Sequence, residues 1–107
     1  MRTLEFHVLL ALAEGPRYGY AIKDAVAAES AGTLAPRAGS LYRVLARLLA
    51  TGLVRPAQGD PEPHPGLARR YYALSAAGRK ALAAEAGRLK RTAAMAEKRL
   101  RLAQGDS

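Results

Sequence analysis

The sequence predicts a small, mostly α-helical domain with one β-hairpin, an α+β fold. Three observations predict it. Leu41, Val44, Leu45, Leu48 and Leu49 recur at helical steps, the pattern of a helix with one buried side. Two short extended runs, Leu53-Val54-Arg55 and Arg69 to Leu74, flank a stretch holding Pro56, Gly59, Pro61, Pro63, Pro65 and Gly66. No regular element survives that density of Pro and Gly. A final run carries Leu82, Ala86, Leu89, Ala93, Ala96, Leu100 and Ala103 at alternating steps of four and three, which is a heptad seam. With 107 residues there is enough chain for one modest core.

The first helix is expected over Thr3 to Glu14. Leu4, Val8 and Ala11 or Leu12 fall at helical spacing, and Phe6, Leu9, Leu10 and Ala13 fill the neighbouring angles. A helix apolar on most sides is a buried one. Thr3 offers an N-cap, and Gly15-Pro16 ends the element. The second helix is expected from Arg17 or Tyr18, with Tyr18, Ile22, Ala25, Val26 and Glu29 on one stripe and Gly32 as its stop. Pro36 suits the first turn of a third helix. That helix runs to Thr51-Gly52, and opposite its leucines it carries Ser40, Arg43, Arg47 and the small Ala46 and Ala50. The two extended runs then form a hairpin with a long tip, expected to be poorly ordered without a partner. Ser75 caps the last helix, expected to reach about Ala103, with Met95 and Leu102 widening its seam.

Composition removes whole classes of function. There is no Cys, and His7 and His64 are the only histidines, so neither a thiolate site nor a zinc ligand set is expected. No nucleophile–base pair and no phosphate-cradling Gly loop is legible, so no enzyme and no cofactor is expected. No apolar run approaches a membrane span, and the first residues do not read as a signal peptide. A cytoplasmic protein is the expectation. The 17 Lys and Arg against 9 Asp and Glu give a formal charge of +8, which calls for an anionic partner. Residues 61–107 hold 10 of those basic side chains and 4 of the acidic ones.

Helix, helix, helix, strand, long loop, strand, helix is the order of a winged helix-turn-helix. A third helix that buries its leucines against the first two projects its other side outward. One helix fits the major groove of double-stranded DNA. Arg37, Ser40, Tyr42, Arg43 and Arg47 are then candidate DNA contacts at and along that helix. The strand pair is the wing, where Arg69 and Arg70 reach toward the backbone beside the groove. Because successive strand residues face opposite ways, only one of these two can point at DNA, and Arg69 is favoured. Tyr20, Tyr71 and Tyr72 read as core aromatics, and His7 as a packed or partly exposed helix residue. Arg88, Lys90, Arg91, Lys98, Arg99 and Arg101 read as the solvated side of the last helix.

Four stretches carry a family resemblance: Leu9 to Tyr20 (LLALAEGPRYGY), Ala35 to Leu49 (APRAGSLYRVLARLL), Gly52-Leu53-Val54, and Arg69 to Gly78 (RRYYALSAAG). Together they resemble the PadR-like transcriptional regulators, in the compact branch with a single C-terminal helix. The resemblance covers roughly residues 4–100. It implies a homodimeric bacterial repressor, with residues 1–74 as the winged helix-turn-helix and residues 75–107 as a C-terminal dimerisation helix. Leu82, Leu89, Ala93, Ala96 and Leu100 would line its seam. It also implies phosphate contact by Tyr18, recognition contacts by Ser40, Tyr42 and Arg43, and backbone contacts by Arg69 and Arg70. The wing tip departs from the pattern, since Asp60, Glu62 and His64 are poor partners for phosphate, so the tip is not expected to enter the minor groove. The last helix lacks the Trp and Phe with which some relatives bind flat aromatic molecules.

A two-fold dimer implies an inverted-repeat operator. A small apolar effector is expected, if anywhere, between the last helix and the first, where two subunits meet. A different class of function uses the same elements: a winged-helix module for protein association only, acting through the heptad helix. A membrane-surface role for the basic last helix is set aside, because an Ala-rich seam buries little area in lipid.

Overall fold

The computed structural model describes residues 1–58 and 70–105. Its elements run α1 (Thr3–Ala11), β1 (Arg17–Tyr18), α2 (Gly19–Glu29), α3 (Ala38–Ala50), β2 (Val54–Ala57), β3 (Tyr71–Leu74) and α4 (Ala76–Gly105). The wing tip with Asp60, Glu62 and His64, and Arg69 beside it, lie outside the described residues.

The amphipathic pattern of α3 organises the core. Leu41, Val44, Leu45 and Leu48 are buried and meet Val8, Leu9 and Leu12 from the first segment and Ile22 and Val26 from α2. Each such side chain contributes about 1.5–3 kcal/mol by leaving water. Leu49 is only half-buried at the edge of this cluster. In α1, Val8 and Leu9 are fully buried while Leu10 faces outward.

Several boundaries differ from the sequence expectation, each for a local reason. The first helix stops at Ala11, and Leu12 to Glu14 form a turn. Its N-cap is Arg2, with no side-chain cap, and Thr3 is already helical. Arg17 and Tyr18 do not begin α2. They pair with Tyr72 and Tyr71 as a two-residue strand, so the sheet has three antiparallel strands in the order β1-β3-β2. Pro36 lies outside α3, whose N-cap is Arg37. Pro56 and Ala57 extend β2, opposite Tyr72 and Tyr71. Pro56 is tolerated because β2 is an edge strand.

The two core helices end alike in hydrogen bonding but not in residue. At the end of α3, Leu53 N–H donates to Leu48 O and Gly52 N–H to Leu49 O. Gly52 takes the left-handed conformation that this Schellman motif demands (φ 78°). At the end of α2, Gly32 donates to Ala27 O and Ala31 to Ala28 O, and the left-handed position falls on Ala31 (φ 53°). Gly32 therefore does not stop α2 alone; Ala31 turns the chain first.

Ser75 caps α4: its Oγ accepts from Gly78 N–H at 2.9 Å and donates to Gly52 O at 2.6 Å, tying the last helix to the end of α3. A helix of 30 residues spans about 45 Å. Only its first part packs on the domain. Leu82 rests against the core, and every described residue from Arg88 onward is exposed. The chain is accordingly elongated, at 64 × 27 × 21 Å.

Candidate nucleic-acid interface

With its leucines buried, α3 turns the opposite side to solvent. Gly39, Tyr42, Arg43, Ala46, Arg47 and Ala50 are exposed and form one continuous stripe, with the half-buried Ser40 at its border. Small residues at 39, 46 and 50 keep this surface low, so a flat partner can approach the helix axis. The helix starts at Arg37, itself exposed, in extended backbone and without a side-chain cap. The first-turn N–H groups thus give the helix a positive end beside the arginines.

The side chains on this surface are partly organised by the protein itself. Arg43 Nη2 donates to Ser40 Oγ at 3.4 Å. Ser40 sits inside the helix and does not cap it. Tyr42 is 43% exposed, and its ring lies over Gly19 at the start of α2. A Cβ at this position would meet the phenol, so the ring can lie this close only over a glycine. Arg47 is exposed on this side, and its Nε lies 3.5 Å from Glu5 Oε1 on α1. Beside this pair runs a shallow cleft lined by Arg2, Leu4, Ser40, Arg43, Val44 and Arg47.

Tyr18 lies in β1, just ahead of α2, and its half-buried ring meets Tyr71 edge-on at 5.8 Å. Tyr72 is buried, and Tyr71 is half-buried. Burial pushes the Tyr72 phenol above its usual range, helped by Tyr42 and opposed by Arg70. Tyr20, expected in the core, is 54% exposed instead, because the turn into α2 points it away. On the wing, Arg70 is exposed and borders a hollow formed with Leu49, Pro56, Ala57, Tyr71 and Tyr72. Arg69 lies outside the described residues.

The heptad positions divide. Leu82, expected on the seam, is half-buried and packs on its own core. Leu89, Ala93, Ala96 and Leu100 are exposed, as are Met95 and Leu102. Near the junction of the two parts Glu85 is buried and accepts a hydrogen bond from Arg88 Nε. That bond holds the Glu85 carboxyl below its usual range, with burial opposing and the Arg88 charge assisting, and it raises Arg88 in turn. His7, half-buried on α1, has Nδ1 3.8 Å from Glu29 Oε2.

Sequence reasoning missed Arg2, Glu5 and the role of Gly19. Arg2 and Glu5 precede or begin α1 and meet α3 only through tertiary packing, so no local spacing could reveal them. Among the described residues no cluster of three His, Asp or Glu could hold a metal ion, and no helix is long and apolar enough to cross a membrane.

Residues 8–84 match a family model described as the transcriptional regulator PadR-like family. The chain is 44% identical over 88 residues to an uncharacterized 37.1 kDa protein in transposon Tn4556 of Streptomyces fradiae, a match that takes in 80% of this chain. It spans only 23% of that relative's length. The fold is similar to a PadR family transcription regulator from Clostridium difficile R20291, with a TM-score of 0.75 at 19% identity, covering 92% of this chain and 99% of that one. It is also similar to Bacillus subtilis PadR in complex with operator DNA, with a TM-score of 0.64 at 23% identity, covering 77% of this chain and 45% of that one.

Proposed function

The chain belongs to the PadR-like family of transcriptional regulators, and on that premise we propose that it is a homodimeric, sequence-specific DNA-binding repressor acting in the cytoplasm on an inverted-repeat operator. One observation carries the reading. The side of α3 that bears Tyr42 and Arg43 is open to solvent, while the other side is locked into the core. Arg43 and Ser40 meet base edges from the N-terminal half of the helix, where recognition helices make such contacts. Arg37, Arg47 and Arg70 neutralise phosphates, with Arg69 as a further wing candidate. Tyr18 and Tyr42 line the junction of α2 and α3.

The exposed seam of Leu89, Ala93, Ala96 and Leu100 joins two copies. The pair sets the two α3 helices about 34 Å apart, one turn of duplex. An effector that relieves repression would seat between α4 and α1 of the joined subunits. It could act only through unequal affinity for the two spacings.

Selection of bound duplexes from a random pool tests the reading. A palindromic winner is expected, with log affinity falling against log salt by about 0.9 for each phosphate contacted. The same exposed seam also suits a module that only associates with protein. A protein of this charge that ignores random duplex at low salt would favour that alternative.

A further inference from the structure

We propose that Glu5 is a positioning residue that weakens the grip of the recognition surface on the phosphate backbone by competing with phosphate for Arg47. The inference rests on the reading of α3 as the helix that faces DNA. Glu5 lies in the first turn of α1, with its side chain 18% exposed, and its Oε1 stands 3.5 Å from Arg47 Nε. Arg47 lies in the last turn of α3 with its side chain 44% exposed. Three of the six residues lining the adjoining cleft are arginines, Arg2, Arg43 and Arg47. A carboxylate at that rim is out of keeping with a surface that otherwise gathers positive charge.

The physics gives the pair a definite effect. A partly exposed ion pair is weak, so a phosphate can draw Arg47 away from Glu5. Glu5 cannot retreat with equal ease, because its side chain is mostly enclosed. Its charge stays beside the arriving phosphates, which themselves lie about 1.7 Å apart along the duplex axis. Binding therefore breaks one attraction and brings like charges together. Base edges are met by the N-terminal residues of a recognition helix, whereas Arg47 is at the other end. The cost is consequently the same for every sequence. Glu5 shortens the stay on any duplex and leaves discrimination between sequences to Ser40 and Arg43.

The test compares wild type, Glu5→Gln, Arg47→Gln, the double variant and Glu97→Gln on a selected operator and a scrambled duplex across a salt series. Glu97, exposed on the projecting part of α4, makes the same change of net charge elsewhere. Glu5→Gln is expected to tighten both duplexes by about two- to five-fold, the range of a partly exposed ion pair. It should also steepen the salt slope by up to about 0.9. Both effects should be markedly smaller in the Arg47→Gln background, where only the direct repulsion between Glu5 and phosphate remains. If Glu5→Gln unfolds, Glu5→Asp, which withdraws the carboxylate by one methylene, should give a smaller shift in the same direction. No gain, a gain equal to that of Glu97→Gln, a gain undiminished without Arg47, or one confined to the operator overturns the inference while leaving the DNA reading intact. Wild type that binds neither duplex at low salt overturns the DNA reading itself, and this inference with it.

Discussion

The Tyr42 ring lies so close over Gly19 that a Cβ added to the glycine would stand 2.5 Å from the phenol oxygen and 3.0 Å from Cζ. The contact joins the outer side of α3 to the start of α2. Gly19→Ala should push the ring outward without opening the core, because Tyr42 is already 43% exposed. The expected result is a loss of unfolding free energy of about 1 kcal/mol, the low end for overpacking because the ring can swing toward solvent, together with a clear loss of duplex affinity. Thermal unfolding and fluorescence anisotropy measure the two separately. Unchanged affinity would remove Tyr42 from the interface.

Arg43 and Arg70 should fail differently. Arg43→Ala is expected to weaken operator binding by about 1–3 kcal/mol and to relax preference at one base position. Arg70→Ala should weaken all duplexes alike and flatten the salt slope by about 0.9. An Arg43→Ala protein that binds operator as wild type does would show that the assignment of α3 is mistaken.

The last helix offers a contrast between two leucines. Leu89 is 39% exposed within one chain and lies outside the core cluster, whereas Leu82 rests on it. Leu89→Glu is expected to halve the mass seen by sedimentation equilibrium and to lower operator affinity with it. Leu82→Ala should instead lower the unfolding free energy by about 2 kcal/mol, the low end for leucine truncation, with the mass retained.

Ala31 holds a left-handed conformation at the position where Gly52 serves α3. An L-residue in that region carries about 1–2 kcal/mol of steric cost. Ala31→Gly relieves it while adding about 0.5–1 kcal/mol of unfolded-chain entropy. A net gain of about 0.5–1 kcal/mol in urea unfolding is expected. A loss of stability would mean that the turn between α2 and α3 depends on the methyl group.

Glu85 should write a signature into acid unfolding. Its carboxyl is held low, first by the Arg88 hydrogen bond. A group lowered by folding contributes stability that is complete above its unfolded value and is lost as pH falls through the folded one. The urea midpoint should therefore decline as pH drops below the ordinary glutamate value of about 4.3. Glu85→Gln should show a shallower decline over that window, and an identical profile in both proteins would count against the pairing.

What the sequence made legible follows from the range of each interaction. The α3 stripe and the Ser75 cap are local patterns, and both stand where the spacing of residues placed them. The strand at Arg17–Tyr18 has no periodicity of its own; it exists because the edge of β3 lies beside it. Pro56 looked like a breaker until its place on an edge was known. Arg47 was correctly put on the outer side of α3, but its partner lies on another helix, beyond any local rule. Leu82 and Leu89 are one heptad apart and indistinguishable by spacing, and only packing tells them apart.

Pro56 has a consequence for solubility. A proline has no N–H, so a strand arriving alongside β2 finds a gap in the row of donors it would need. The other margin of the sheet, β1, is only two residues long. Among the described residues both borders are thus poor templates for a growing ribbon of stacked copies, which favours contact between molecules through helical surfaces over fibril-like assembly.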